Sequence, residues 1–201
     1  MIHRWNDYDK VKGYGDYQML PKGGYVVKIL VVSVGSTRDG RDYLKLSCDV
    51  IEGEYANFYT QQYRENKNED KKWGCTFLVN IPTDDGSEQD GWTKRSFRTF
   101  IDAVEESNNG YHWDWNETKL KGLIFGGIFN MREYEKTDGS IGQATNFARC
   151  TSAEKIRTGK FQIPADKLLK KQESGGYNPN GYADGFMSIP DSADSEGLPF
   201  N

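Results

Sequence analysis

Residues 24–51 read Gly-Tyr-Val-Val-Lys-Ile-Leu-Val-Val-Ser-Val (24–34), Gly-Ser-Thr-Arg-Asp-Gly-Arg-Asp (35–42) and Tyr-Leu-Lys-Leu-Ser-Cys-Asp-Val-Ile (43–51). The first part is a β-branched apolar run, too short for a membrane helix and typical of a buried strand. The last part alternates strictly. Leu44, Leu46, Cys48 and Val50 fall on one face, and Tyr43, Lys45, Ser47 and Asp49 on the other. Asp39-Gly40 lies between them and is a hairpin turn signal, because glycine accepts the positive φ that tight turns require. Two long paired strands are therefore expected, with one face buried and Tyr43 and Lys45 turned to solvent.

The remaining chain reads as the closure of this hairpin into a barrel. Residues 1–23 are expected to form an irregular arm, with Trp5, Tyr8 and Tyr17 packing on the barrel. Glu52-Gly53 is a turn. Residues 54–63 fit a strand or a helix. Tyr55, Tyr59 and Tyr63, spaced by four, share a face at period 2 and nearly do at period 3.6. Residues 64–72 form a mixed-charge loop, and Trp73–Ile81 is a strand candidate stopped by Pro82.

A helix is expected over 93–108, since Phe97, Phe100, Ile101 and Val104 make one apolar stripe. Thr93 is its expected cap. Lys94, Arg95 and Arg98 then lie at its start and Glu105 and Glu106 at its end, against the helix dipole. Gly122–Tyr134 reads as a strand with a bend or bulge at Gly126-Gly127. Thr137–Ser140 is a second turn and Ile141–Thr151 the returning strand. Ser152–Gly159 and Ala165–Lys171 read as short helical turns.

Two parts follow: a domain over 1–171 and a flexible acidic tail over 172–201, where Gly, Asn, Ser, Pro and Asp dominate. The tail holds five acids and no Lys or Arg. Residues 1–171 hold 26 basic and 25 acidic groups, so the net charge of −4 belongs to the tail. A polyanionic partner for the body is compatible with that balance. The three cysteines lack metal or disulfide spacing, and Cys48 reads as a small core residue. No apolar leader or membrane-length run is present. No membrane partner is expected, and a reducing cytoplasm is the default location, the host's if the chain is phage-encoded.

Strand, strand, strand region, helix, strand, strand is the order of the OB-fold, a mainly β five-stranded Greek-key barrel with one helix between strands 3 and 4. Such folds bind oligonucleotides or oligosaccharides across strands 2 and 3 and the flanking loops. Those places carry Arg38 and Arg41 in the first loop, Tyr43 and Lys45 on strand 2, Tyr55, Tyr59 and Tyr63 in the strand 3 region, and Lys136 in the last loop. Lys72 and Trp73 after the charged loop, with Arg95 at the helix start, complete the candidate DNA-binding set. Cations for phosphates and aromatic faces for unstacked bases are what single-strand binding needs.

Over residues 1–171 the chain resembles the phage and prophage OB-fold single-stranded-DNA-binding proteins. The resemblance rests on Leu20-Pro21-Lys22-Gly23-Gly24-Tyr25, Lys72-Trp73-Gly74, Lys121-Gly122-Leu123 and Arg132-Glu133-Tyr134. It implies sequence-independent binding of single-stranded DNA in replication or recombination. The tail, with Asp191, Asp194, Glu196, Leu198, Pro199 and Phe200, resembles the acidic tip of bacterial single-strand-binding proteins, although here Asn201 follows the Phe. That resemblance implies docking of replication, repair or recombination proteins, and separately the five acids without a cation make the tail a weak mimic of single-stranded DNA that is expected to compete with it.

No enzyme activity and no cofactor are expected. His3 and His112 stand in unrelated contexts, and no phosphate-loop motif is present, since Gly122-Leu-Ile-Phe-Gly126-Gly127 reads as strand and lacks the following Lys. Two other readings stay open: a carbohydrate-binding β domain using Trp113, Trp115 and the tyrosines, and a protein-interaction module without nucleic-acid binding.

Overall fold

The computed structural model describes His3, Arg4, Asn6, Tyr8 and residues 18–169. The expected tail, with Asp191, Asp194, Glu196, Leu198, Pro199 and Phe200, lies outside the described residues, as do Trp5 and Tyr17.

The opening hairpin forms as its pattern dictates. β1 (Gly23–Ser36) and β2 (Asp42–Val50) pair antiparallel around a turn in which Gly40 has φ of 80°. Leu44, Leu46, Cys48 and Val50 are all buried. Burial pushes the Cys75 thiol, which adjoins Cys48 in the core, up to about 12. Asp49 breaks the alternation. It belongs to the expected solvent face yet is only 2% exposed, because its carboxylate accepts hydrogen bonds from the Tyr59 and Thr60 backbone N–H groups, both at 2.9 Å.

That carboxylate decides the ambiguous segment. α1 (Phe58–Glu65) is a helix whose own N-cap, Asn57, makes no side-chain cap bond. Its free N–H groups are met by Asp49 from the neighbouring strand, which offsets the cost of leaving them orphaned. β3 (Thr76–Asn80) follows, shorter than the expected Trp73–Ile81.

α2 (Glu88–Ser107) begins five residues before Thr93. Ser87 is the cap, its hydroxyl accepting from the Asp90 N–H. Glu88 and Asp90 therefore occupy the first turn, and the expected conflict with the dipole at this end is absent. Lys94 ion-pairs with Asp84 and Asp90, and Arg98 with Asp102. At the other end Glu105 accepts the Trp113 N–H, and Glu106 pairs with Lys155. Phe97, Phe100, Ile101 and Val104 are buried, as their spacing requires.

A 3-10 turn (Glu117–Leu120) leads to β4 (Ile124–Glu135), β5 (Ile141–Thr151) and the short α3 (Ala153–Arg157). The expected helical turn at 165–171 is, over its described part, an extended segment. Lys167 N–H donates to Met131 O and Glu133 N–H to Lys167 O, both at 2.8 Å. β4 has free backbone groups here because its ladder with β1 ends at Phe129.

The five strands form one antiparallel sheet in the order β3-β2-β1-β4-β5. The ladder does not close into a barrel: β3 and β5 are its two ends. They nevertheless meet through side chains, because Phe77 of β3 stacks on Phe147 of β5 with ring centroids 4.3 Å apart. α2 packs against β3, β4 and β5 on this inner side, with Phe77 also touching Phe100.

Two register shifts bend the sheet. One leaves Leu30 of β1 unpaired between Ile29 and Val31, and the other leaves Ala148 of β5 unpaired opposite Ile128 and Phe129. The second lies beside, rather than at, Gly126-Gly127, where pairing is regular. Gly126 serves close packing instead. A Cβ there would lie 2.5 Å from Ile156 Cγ1 and 2.8 Å from Ser152 O. Since the backbone oxygen cannot move without α3, Gly126→Val is expected to destabilise by about 1–3 kcal/mol. Thermal unfolding checks this, and an unchanged midpoint would contradict the packing.

Candidate nucleic-acid interface

Side chains that point away from the core on β1, β2 and β3 make a three-strand face. Tyr43 lies between Gly35 and Asn80, Lys45 between Ser33 and Leu78, and Ser47 between Val31 and Thr76. Val31 and Leu78 are 55% and 53% exposed, so the face carries apolar as well as polar surface. Tyr43 lies across Gly35: a Cβ at 35 would come within 2.8 Å of the ring Cζ and hydroxyl. Lys45 is exposed and has no ion pair among the described residues.

The flanking loops supply less free charge than their sequences suggest. Arg41 Nε donates to Asp39 Oδ2 at 2.6 Å, and Arg41 Nη2 approaches the same oxygen at 2.5 Å. Hydrogen bonds from Thr37, its own backbone and Arg41 hold the Asp39 carboxyl below its usual range. Arg41 is thus largely neutralised within its own turn. Arg38 is exposed at the tip without an ion pair among the described residues. In the β4–β5 turn Lys136 is exposed, and its Cε and the Tyr134 ring both lie over Gly142. Tyr134 was not a sequence candidate, yet it repeats the Tyr43 arrangement.

The expected tyrosine row divides. Tyr55 packs edge-on against Tyr25 and Phe58, with centroids at 5.9 and 6.1 Å. Burial, then the neighbouring Tyr55 and Glu54, push the Tyr25 phenol up to about 12. Tyr59 is 5% exposed and touches Phe58 at 5.1 Å. Tyr55 is partly buried, while the near-complete burial of Tyr59 corrects the expectation that it stacks on a ligand; α1 turns its Tyr59 face inward to cover β2. Tyr63 packs 5.5 Å from Trp73 and beneath Lys71 Nζ, which lies 4.5 Å from its ring centroid. Trp73 Nε1 donates to Cys48 O at 2.8 Å, which fixes the indole. Leu30, Val31, Ser47, Tyr63, Lys71 and Trp73 line a cleft of about 240 Å³ at the β1 register shift. Lys72 is exposed in the adjoining loop.

Arg95 is not brought to this face. It lies over the Trp92 ring at 4.8 Å on α2, the helix that packs on the opposite side of the sheet. A second, wider cleft of about 570 Å³ opens at the other register shift, between Arg149 of β5 and the Lys160-Phe161-Gln162 segment. Trp113 is half-buried against Phe97, while Trp115 is 81% exposed at a positive φ of 65°. The two indoles are tilted by 57° and do not make one flat platform.

Comparison of the sequence with protein-family models and with curated proteins gives no match. Among the described residues no helix is long and apolar enough to cross a membrane.

Proposed function

We propose that this protein binds single-stranded DNA without sequence preference, on the outer face of β1, β2 and β3, and that its sheet is an OB-type fold opened between β3 and β5. The observation that carries the reading is the solvent-facing row Tyr43–Lys45–Ser47, an aromatic ring laid across a glycine beside a cation that has no ion pair among the described residues. Base stacking on such rings needs no sequence, because every base has a π-face, and lysines follow the backbone charge. The hairpin tips bearing Arg38 and Lys136 would supply phosphate contacts, with Lys72 near the Trp73 end. On this reading the acidic tail recruits replication or recombination proteins or competes with DNA.

The test is a titration of the full chain with oligo-dT over a range of salt. Log affinity is expected to fall linearly with log salt, by about 0.7 per phosphate contact. Tyr43→Ala should weaken binding by about 1–3 kcal/mol while barely moving the melting temperature, since its ring lies across Gly35 on the outer face and is not part of the hydrophobic core. Equal affinity for duplex, or binding indifferent to salt, would overturn the reading. A sugar ligand would show no such salt slope.

A further inference from the structure

We infer that the cleft at the β1 register shift receives one unstacked nucleobase of the bound strand, an inference that rests on the single-strand-binding reading above. The shift leaves Leu30 without a partner in β2 and opens the space between it, Ser47 and Trp73. Bulges re-aim side chains in this way beside binding sites.

Each wall of the cleft has a chemical role. The indole of Trp73 is locked by its bond to Cys48 O, so its position is set before a ligand arrives. Tyr63 stands beside it on α1, which Asp49 anchors to β2. Leu30 and Val31 add apolar surface. Ser47 is half-buried, and its hydroxyl has no hydrogen-bond partner among the described residues. A hydroxyl both donates and accepts, so it can meet the edge of any base. Lys71 Nζ lies over the Tyr63 ring at 4.5 Å and donates to Asn66 O at 3.3 Å, placing a cation at the cleft where the phosphodiester of an inserted base would pass. A space of about 240 Å³ holds on the order of eight waters at roughly 30 Å³ each, and one planar heterocycle can replace them. Because Ser47 and Val31 belong to the same outward row as Lys45 and Tyr43, a strand lying on the face passes the mouth of the cleft.

The experiment compares two labelled oligonucleotides of equal charge, oligo-dT and an abasic backbone, each roughly a dozen nucleotides long, within the range bound by such folds. Unsubstituted protein, Ser47→Val and Lys71→Ala are titrated with both by fluorescence anisotropy. Ser47→Val removes the hydroxyl and fills the cleft floor, so oligo-dT affinity should fall fivefold or more while abasic affinity stays unchanged. Lys71→Ala should weaken both oligonucleotides alike and lower the salt slope by about 0.7. If valine unfolds the protein, Ser47→Thr keeps the hydroxyl and adds only a methyl, and should give the same base-dependent loss in smaller measure. Equal losses on oligo-dT and abasic DNA, or none on either, would overturn the base-insertion site while leaving the single-strand reading intact. An unsubstituted protein that binds neither oligonucleotide would overturn both.

Discussion

Asp49→Ala is expected to destabilise the protein by about 3–5 kcal/mol, lowering the denaturant midpoint at a nearly unchanged m-value. Asp49 is almost fully buried and has no cation beside it among the described residues. Its carboxylate oxygens are met by four hydrogen bonds: the N–H groups of Val50, Tyr59 and Thr60 and the Thr60 hydroxyl all donate to them. Bonds to a charged acceptor contribute roughly 1.5–3 kcal/mol each, and a buried donor left without a partner costs about 1–3 kcal/mol. Alanine removes every acceptor at once and orphans the start of α1. Asn keeps one oxygen, so Asp49→Asn should lose about half as much, and Thr60→Val, which removes one donor, less again. A loss below about 0.5 kcal/mol for alanine would mean that α1 is held by its other contacts. The effect reaches the interface as well, because α1 carries Tyr63 to the cleft.

This one carboxylate also marks where the sequence stops being legible. Strict alternation from Tyr43 to Val50 places four core residues correctly and sends Asp49 outward with Tyr43 and Lys45. The partner that turns Asp49 inward is a helix start ten residues further on, and that segment has no cap of its own to announce it. Spacing by four therefore gathered three tyrosines that the fold sorts apart. Ser87 was obscured as a cap because the apolar stripe of α2 starts only at Phe97, well after the helix itself. The order of strands and the helix between β3 and β4 were readable, since each rests on local periodicity and turn chemistry.

Whether a ladder closes depends on contacts between chain segments about 70 residues apart, which no local pattern records. Tyr134, by contrast, left a signal. Gly35 and Tyr43 stand eight residues apart about Asp39-Gly40, and Tyr134 and Gly142 stand eight apart about Asp138-Gly139. Two hairpins of one design, each laying a tyrosine across a glycine, place aromatic rings near both tips. The charges were over-read for a related reason. Arg41 is neutralised by a residue two positions away, and Arg95 lies on an element facing the other way.

Phe77→Ala and Phe147→Ala are each expected to cost about 3 kcal/mol, and their effects should not add. The two rings stack at 4.3 Å with planes 28° apart and join the ends of a sheet that hydrogen bonds leave open. Phe147 also meets Phe125 and Phe129, and Phe77 meets Phe100 and Phe125, so each substitution opens a cavity among further rings. A direct aromatic pair contributes about 0.5–1.5 kcal/mol beyond its buried area. The double substitution should therefore be milder than the sum of the singles by about 1 kcal/mol, measured by chemical denaturation. Effects that add to within about 0.3 kcal/mol would show that the sheet's ends do not touch in solution. The consequence for the outer face follows from strand geometry. β3 is five residues long and its ladder runs only along β2, so backbone bonds hold it weakly. Phe77 points inward and Leu78, the next residue, points out beside Lys45. Anchoring the one fixes the other, and losing the Phe77–Phe147 contact should let β3 fray and disorder the edge of the Tyr43–Lys45 surface before the whole domain unfolds.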